Sequence, residues 1–171
     1  MWANSQSEKS HGLEARAIVT HDKRFGGGVQ AMASTAGLQI AAGLDERVFR
    51  VNTPVATDRQ AGTSLAMTLR VSVPGVLPTD HHIDRFLDGG VEVGGGIAML
   101  LGTPGFTGGP ESFVGGWVEL GNIDIDDGYL VFTAGARFMR LTDGLRDDTV
   151  YTFGIGWRGR RRVSPADIRW R

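Results

Sequence analysis

The densest group of side chains that could bind a metal ion is the segment Thr79–Asp84, which holds two histidines and two aspartates. Imidazole nitrogens and carboxylate oxygens are suitable ligands for divalent metals. In an extended segment, however, the adjacent side chains of His81 and His82 point in opposite directions, so one ion cannot easily bind both. We therefore interpret this segment as a polar loop and predict neither a metal nor a cofactor.

Hydrolysis requires a nucleophile and a base that lie close together. His21 or His81 could act on several serines, but no spacing selects a pair, and the chain has no cysteine. The glycine runs Gly26–Gly28 and Gly94–Gly96 lack the lysine and the following helix of a phosphate-binding loop. We expect no enzyme; an envelope hydrolase is the third hypothesis, to be dropped if alanine at His21, His81 and His82 leaves activity intact.

Four charged residues occur where apolar residues alternate with small ones, so they belong to the small-residue faces of four different strands. These residues are Arg70, Glu92, Glu119 and Arg137. In a narrow closed barrel they would meet as an ion-pair network, because a buried charge is tolerated only when it is paired. We predict that they fill the lumen and hold the strand register; a gated polar pathway or a small-ligand contact is the alternative. In a soluble barrel they would lie in water.

The elements that position these charges are strands. In Ser64–Val73 every second residue is apolar, which is the period of a strand with one apolar face. The pattern recurs along most of the chain, with hairpin signals at Asp126–Gly128 and Thr142–Gly144 and a tight connection expected at Asp45-Glu46. The predicted strands are Leu13–Thr20, Val29–Leu44 (with a possible break near Gly37), Arg47–Asn52, Ser64–Val73, Phe86–Leu101, Phe113–Gly121, Tyr129–Leu141 and Thr149–Arg158. We predict an all-β fold, a single antiparallel up-and-down barrel of about eight strands.

The polar faces of these strands distinguish two environments. A soluble barrel buries its apolar face, whereas a membrane barrel turns that face to lipid and keeps small and polar residues inside. The polar faces carry glycine, alanine, serine and threonine with few charges, and the chain has 26 glycines. Glycine weakens a solvated strand but leaves room inside a narrow barrel. Long and short connections also alternate along the chain, and this alternation is typical of outer-membrane barrels. The long connection Pro74–Arg85 is the exception. The membrane interpretation is therefore favoured.

The segments Val91–Leu101, Val114–Asn122 and Tyr129–Trp157 carry a resemblance to a known class. They resemble the strands of a small eight-stranded bacterial outer-membrane β-barrel, and the last of them resembles its final hairpin. The resemblance implies a non-enzymatic envelope protein that is structural or adhesive, with a plugged lumen or at most a narrow pore. It also implies contact with membrane lipid and a monomeric state.

Composition bounds the remaining possibilities. The formal net charge of -1 over 171 residues gives no support for nucleic-acid binding. No apolar run approaches the roughly 20 residues of a membrane helix. Met1–Gly12 has no apolar stretch of signal-peptide type, so we expect either that the protein stays where it is made or that this chain lacks a leader. We divide the chain into a polar N-terminal segment 1–12, a barrel domain 13–158 and a basic C-terminal tail 159–171.

Two further interpretations stay open. Arg158–Arg162 holds four arginines, which we interpret as a solvated terminus; at a membrane this cluster would contact anionic headgroups. The alternative to the outer-membrane barrel is a soluble, periplasmic or cytoplasmic protein: a calycin-like barrel that binds an apolar small ligand, or a β-sandwich interaction module. In that case the apolar face of Ser64–Val73 would point inward.

Overall fold

The computed structural model describes residues 10–35, 38–52, 57–73, 86–101, 108–125, 128–141 and 145–160. Each strand pairs antiparallel with the next, and β8 pairs with β1, so the sheet closes on itself. The predicted single up-and-down barrel of eight strands is confirmed. Within these ranges no helix is long and apolar enough for a membrane span. The strands are β1 (Ser10–Thr20), β2 (Phe25–Thr35), β3 (Leu38–Asn52), β4 (Thr57–Ser72), β5 (Phe86–Leu100), β6 (Gly108–Ile125), β7 (Gly128–Leu141) and β8 (Asp148–Arg160).

The strand register makes the barrel narrow and tilted. Following paired residues once around the wall from Ser10 leads back to β1 at Thr20, a stagger of ten residues (10 to 20). With about 3.3 Å per residue and about 4.8 Å between strands, this stagger gives a strand tilt of about 40°. The interior of such an eight-stranded barrel is just wide enough for side chains to fill. The row of paired residues reads Ser10, Ser34, Gln39, Arg70, Glu92, Gly115, Arg137, Val150 and Thr20.

The two ends of the barrel differ. At one end, here called the terminal rim, β1 begins and β8 ends, and residues 36–37, 73–85 and 126–127 connect neighbouring strands. At the opposite end, here called the far rim, the connections are 21–24, 53–56, 101–107 and 142–147. Two connections of the terminal rim are two residues long, and the third holds the long connection expected at Pro74–Arg85, which lies outside the described residues.

The predicted tight connection at Asp45-Glu46 is wrong. β3 runs without a break through both residues, and the preceding strand, β2, ends at Thr35, before β3 begins at Leu38. Asp45 faces inward, where the Arg16 guanidinium donates two hydrogen bonds to its carboxylate. A carboxylate that is paired across the lumen is compatible with the middle of a strand, so Asp45 is not a turn residue here.

Charged and polar residues face the lumen of the barrel, and large apolar residues face outward. The apolar face of β4 points away from the lumen, with Leu65 57%, Met67 62% and Leu69 39% exposed. The intervening residues of the same strand face inward and are buried, including Arg70 at 2%. The other strands follow this alternation, so large apolar side chains cover the outer wall and charged side chains occupy the interior. The inward orientation that the soluble alternative requires is therefore wrong.

Apolar side chains fill the lumen toward the far rim. We call Phe49, Ala98, Leu100, Leu141 and Leu145 the far-rim plug, because they form one buried cluster near the far-rim ends of β3, β5 and β7. Next to it lies a second buried cluster of Ile18, Ala66, Phe113, Met139 and Val150. The charged residues therefore share the lumen with two buried apolar clusters.

Candidate functional site: the charges of the lumen

The central group of the lumen is here called the Glu92 triad: Glu92 with Arg70 and Arg137. The Glu92 carboxylate is fully buried and accepts three hydrogen bonds. Arg137 donates from Nε to Oε1 at 2.6 Å and from Nη2 to Oε2 at 3.2 Å, while Arg70 donates from Nε to Oε2 at 2.9 Å. Charge-assisted hydrogen bonds of this kind are about twice as strong as neutral ones. Three of the four residues singled out from the sequence are thus in direct contact.

The register explains why these three residues meet. Arg70 and Glu92 are direct cross-strand partners on β4 and β5. Arg137 lies two strands from Glu92 in the same row, and the residue between them is Gly115. Arg137 therefore reaches the carboxylate across β6, at a row position where that strand carries no side chain.

Glu119, the fourth residue, belongs to a different group. Its carboxylate accepts a short hydrogen bond from Arg158 Nη2, which also lies 3.4 Å from Glu14 Oε2. The second oxygen of Glu14 accepts a hydrogen bond from the Thr133 hydroxyl at 2.9 Å. Arg158 is only 4% exposed. Its assignment to a solvated basic terminus is therefore wrong, because its side chain points into the lumen and pairs there.

Two further ion pairs complete the interior. Arg16 binds Asp45 through Nε at 2.7 Å and Nη2 at 2.6 Å, and its Nη1 donates to Gln30 Oε1 at 2.5 Å. Arg47 Nη2 donates to Glu111 Oε2 at 2.9 Å. The hydroxyl of Ser64 makes a short hydrogen bond to the other oxygen of Glu111. Each guanidinium therefore has a carboxylate on a different strand, which ties the walls together.

The buried charges nearly balance. Among the described residues, five buried arginines face six buried acids, and Asp148, one of these acids, is paired with the half-buried Arg50. Three guanidiniums also lie over aromatic rings, a favourable cation–π geometry: Arg47 over Phe49 at 4.4 Å, Arg137 over Phe113 at 4.6 Å and Arg70 over Trp117 at 5.3 Å. The buried charged residues are Glu14, Arg16, Asp45, Arg47, Arg70, Glu92, Glu111, Glu119, Arg137, Asp148 and Arg158.

Glycines provide the space that these side chains occupy. A Cβ at Gly43 would lie 2.6 Å from Arg16 Nη2, and a Cβ at Gly62 would lie 2.7 Å from the ring of Phe49. At Gly12, a Cβ would lie 2.8 Å from Arg158 Nη1. These three glycines thus leave room for long side chains that come from the neighbouring strand or from the strand beyond it.

At the far rim, Asp22 lies in the turn after β1. Its carboxylate accepts a hydrogen bond from the Thr20 hydroxyl at 2.6 Å and pairs with Arg59 Nε at 3.0 Å. The hydrogen bond from Thr20, followed by the charge of Arg59, lowers the pKa of Asp22 below its ordinary value, against the opposing effect of burial. This pair links the β1–β2 turn to β4 across the barrel mouth.

The other candidates from the sequence do not assemble into a reactive site. His21 is exposed, and its backbone N–H donates to the carbonyl of Thr149. The segment Thr79–Asp84, with His81 and His82, lies outside the described residues. No group of three or more histidine or acidic residues that could hold a metal occurs in the described part of the chain.

Comparisons with known proteins identify the class of fold. No protein-family model matches the sequence, and no curated protein matches it. Solved structures similar to this barrel are small eight-stranded outer-membrane β-barrels, so the resemblance expected from the sequence is confirmed for the fold.

Three such structures are similar over most of the chain. Neisserial surface protein A has a TM-score of 0.55 and 8% identity, covering 90% of this chain and 96% of that one. The N-terminal β-barrel domain of Pseudomonas aeruginosa OprF has a TM-score of 0.49 and 13% identity, covering 87% and 96%. Ail, the attachment invasion locus protein of Yersinia pestis, has a TM-score of 0.45 and 10% identity, covering 90% and 99%. At these identities the likeness is one of fold.

Proposed function

We propose that this protein is a β-barrel of a bacterial outer membrane, with its apolar wall in contact with lipid and its charges sealed inside. The observation that carries the proposal is the inverted burial of the strands. Large apolar side chains such as Met67 and Phe153 are more than half exposed, whereas Glu92 and Arg70 are buried. A closed barrel pairs its backbone amides across the strands, which a spanning structure needs in hydrocarbon.

The height of the apolar wall supports this proposal. The outward apolar residues of β4, together with Val73, which follows it, run from Leu65 to Val73, eight residue steps, or about 26 Å at about 3.3 Å per residue. At a tilt of about 40° this corresponds to about 20 Å along the barrel axis. With the side chains at either end, this is close to the apolar band of about 25 Å that membrane barrels present to lipid.

The same wall argues against the soluble alternative. A soluble monomer rarely exposes an apolar patch larger than a few hundred Å². Here the exposed apolar side chains continue from strand to strand, for example through the cross-strand partners Val93, Val114 and Phe138. A calycin-like protein would hold its apolar ligand in the lumen, but this lumen is lined by ion pairs in its centre. Lipid therefore suits this apolar outer surface better than water does.

The lumen supports a structural or adhesive role rather than transport. The far-rim plug fills the lumen near one end with buried apolar side chains, and the Glu92 triad lies across the centre. An enzymatic role has no supporting group of residues in the described part of the chain. We therefore propose a non-enzymatic envelope component that acts as a monomer, with the terminal rim toward the periplasm. Sustained single-channel conductance in planar bilayers would instead support the narrow-pore alternative.

The location is tested by charges placed at two depths of the outer wall. Leu69 lies in the middle of the outward apolar run of β4, and Ser112 faces outward toward the far-rim end of β6, next to the exposed Arg140. Arginine at the midplane of a membrane barrel costs about 2–4 kcal/mol, and near the interface about 0–1 kcal/mol. We expect Leu69→Arg to impair insertion into phospholipid vesicles severely and Ser112→Arg to insert almost as the parent does.

The readouts are heat-modifiable migration on a gel and partition into detergent. Equal behaviour of Leu69→Arg and Ser112→Arg, with both variants folded in water without lipid or detergent, contradicts the membrane proposal. Loss of insertion in both variants also contradicts it, because the cost of an arginine on the outer wall would then not depend on its depth.

A further inference from the structure

The hairpin of β3 and β4 extends beyond its neighbours at the far rim. The ladder between β2 and β3 stops at Glu46, and the described ladder between β4 and β5 stops at Gly62, whereas β3 and β4 stay paired beyond both points. We call residues 47–52 of β3 and 57–61 of β4 the far-rim arm. At about 3.3 Å per residue, its β3 strand reaches about 20 Å past Glu46.

The edge of β3 that extends past β2 is covered by residues from the connection between β7 and β8. Val51 forms an antiparallel bridge with Leu145, and the Arg146 N–H donates a hydrogen bond to the Arg50 carbonyl at 2.9 Å. We call this contact the seam. It joins β3 to the segment that precedes β8, although β1 and β2 lie between these strands in the wall of the barrel.

Two arginines of the arm reinforce the seam through their side chains. Arg50 Nη2 donates a hydrogen bond to the Asp147 carbonyl at 2.6 Å and lies 3.5 Å from Asp148 Oδ1. On the other strand of the arm, Arg59 Nε pairs with Asp22 of the β1–β2 turn at 3.0 Å, and the Arg59 side chain is 50% exposed. Ion pairs this exposed contribute little to stability and are screened by salt. Arg50 is therefore the main side-chain tie across the seam.

The far-rim plug is built from both sides of the seam. Phe49 belongs to the arm and is 2% exposed, whereas Leu145 lies across the seam and is 6% exposed. Val51, the partner of Leu145 in the bridge, packs against the same cluster. When the seam parts, Phe49 and Val51 move with the arm and Leu145 does not, so the plug loosens at the same time.

The seam is weaker than the wall beneath it. β1 and β8 are paired along the whole of β1, from Ser10 to Thr20, whereas the seam has a single ladder pair in the described part of the chain. Segments held by few backbone hydrogen bonds open locally at a lower free energy than the fold as a whole. We propose that the seam is a latch, which opens while the eight-stranded wall stays closed and thereby uncovers the apolar side chains of the far-rim plug. The Glu92 triad is not part of the arm, so the lumen stays blocked behind the plug.

The experiment follows the hydrogen exchange of two backbone amides by NMR, in the full chain refolded in detergent micelles. The Arg146 N–H reports on the seam. The His21 N–H, which donates to the Thr149 carbonyl at 2.8 Å, reports on the contact between the chain after β1 and β8 at the same rim. In Arg50→Met we expect the Arg146 amide to exchange at least about tenfold faster than in the parent, because one side-chain tie is lost, and the His21 amide to be unchanged.

A matched control and the plug itself are read in the same samples. Arg140 is an exposed arginine near the far-rim end of β7 and is not part of the seam, so Arg140→Met is expected to leave both amides unchanged. The methyl signals of Leu145 are expected to shift in Arg50→Met. Those of Ile18, in the neighbouring buried cluster, are expected to stay in place.

A cysteine pair keeps the proposal testable if Arg50→Met fails to fold. The chain has no cysteine, so Val51→Cys with Leu145→Cys introduces a single possible disulfide. Residues directly opposite in an antiparallel pair lie about 4.5–5.5 Å apart between Cα atoms, within the range of a disulfide. Oxidation is expected to slow the exchange of the Arg146 amide at least about tenfold relative to the reduced pair and to leave the His21 amide unchanged.

Three results overturn the latch. The first is an Arg146 amide whose exchange is unchanged in Arg50→Met or by oxidation of the cysteine pair. The second is an equal change of the Arg146 and His21 amides, since the wall would then open together with the seam. The third is a cysteine pair that does not form a disulfide in the folded protein. Because these measurements are made in detergent, their failure leaves the proposed membrane location untouched.

Discussion

Replacing Glu92 with glutamine is the most direct test of how the lumen is held together. The carboxylate accepts three hydrogen bonds from two guanidiniums, at 2.6, 2.9 and 3.2 Å, in a fully buried position. Glutamine keeps the shape but presents one oxygen and one NH₂ group, which would point at a guanidinium N–H. Arg70 and Arg137 are then two buried cations with no anion between them.

The expected loss follows from the uncompensated charge. Removing one partner of a buried ion pair costs about 3–5 kcal/mol, most of it from the charge left behind. With two arginines stranded by one change, we expect Glu92→Gln to lower the free energy of unfolding by an amount near the upper end of that range. The assay is urea-induced unfolding of the barrel in phospholipid vesicles, followed by tryptophan fluorescence and by gel mobility.

A matched control and a rescue separate this cause from simple loss of contacts. Glu46 is an exposed residue of β3, so Glu46→Gln is expected to change the free energy of unfolding by no more than about 0.5 kcal/mol. Adding Arg137→Met to Glu92→Gln removes one stranded cation and is expected to restore part of the lost stability. A loss below about 1 kcal/mol in Glu92→Gln, or a double variant that simply adds two losses, refutes the reasoning.

Two further outcomes are expected. Gly43→Ala places a Cβ 2.6 Å from Arg16 Nη2 and should lower the free energy of unfolding in urea by about 1–3 kcal/mol. At Gly27 a Cβ would have no contact below 3.6 Å, so the control Gly27→Ala should lower it by less than about 1 kcal/mol. Equal losses contradict the view that Gly43 leaves room for the Arg16 side chain. Because the pKa of Asp22 is lowered, mainly by the Thr20 hydroxyl, its stabilising effect is complete above the unfolded-state pKa and is lost as pH falls through the folded-state pKa. Thr20→Val should raise the titration midpoint of Asp22 observed by NMR, and an unchanged midpoint contradicts this cause.

Much of the fold could be predicted from local alternation, because a strand has a strict period of two. The alternation in Ser64–Val73 predicts which side chains share a face, and the structure places Arg70 on the face opposite Leu69. The same reasoning was available for Glu14 and Arg16 in β1, which alternate with the exposed Leu13 and with alanines, but the charges of that strand were not singled out.

The pairing of the charges could not be predicted in this way. Which guanidinium reaches which carboxylate depends on the ten-residue stagger, and that stagger exists only in the closed barrel. Glu119 therefore pairs with Arg158 rather than with Arg70 or Arg137. The inward-facing role of Asp45 cannot be predicted for the same reason, since its partner Arg16 is 29 positions away in the chain.

The distance along the chain between partners has a consequence for how the barrel is made. Glu14 receives hydrogen bonds from Thr133, 119 positions away, and from Arg158, 144 positions away. Thr133 belongs to β7 and Arg158 to β8, so a chain in which the barrel has not yet closed onto β1 holds Glu14 without either of these donors. The Glu14 carboxylate is therefore paired with a cation only when β8 joins β1. A truncated chain that lacks β8 would carry an unpaired carboxylate into any apolar surroundings it entered.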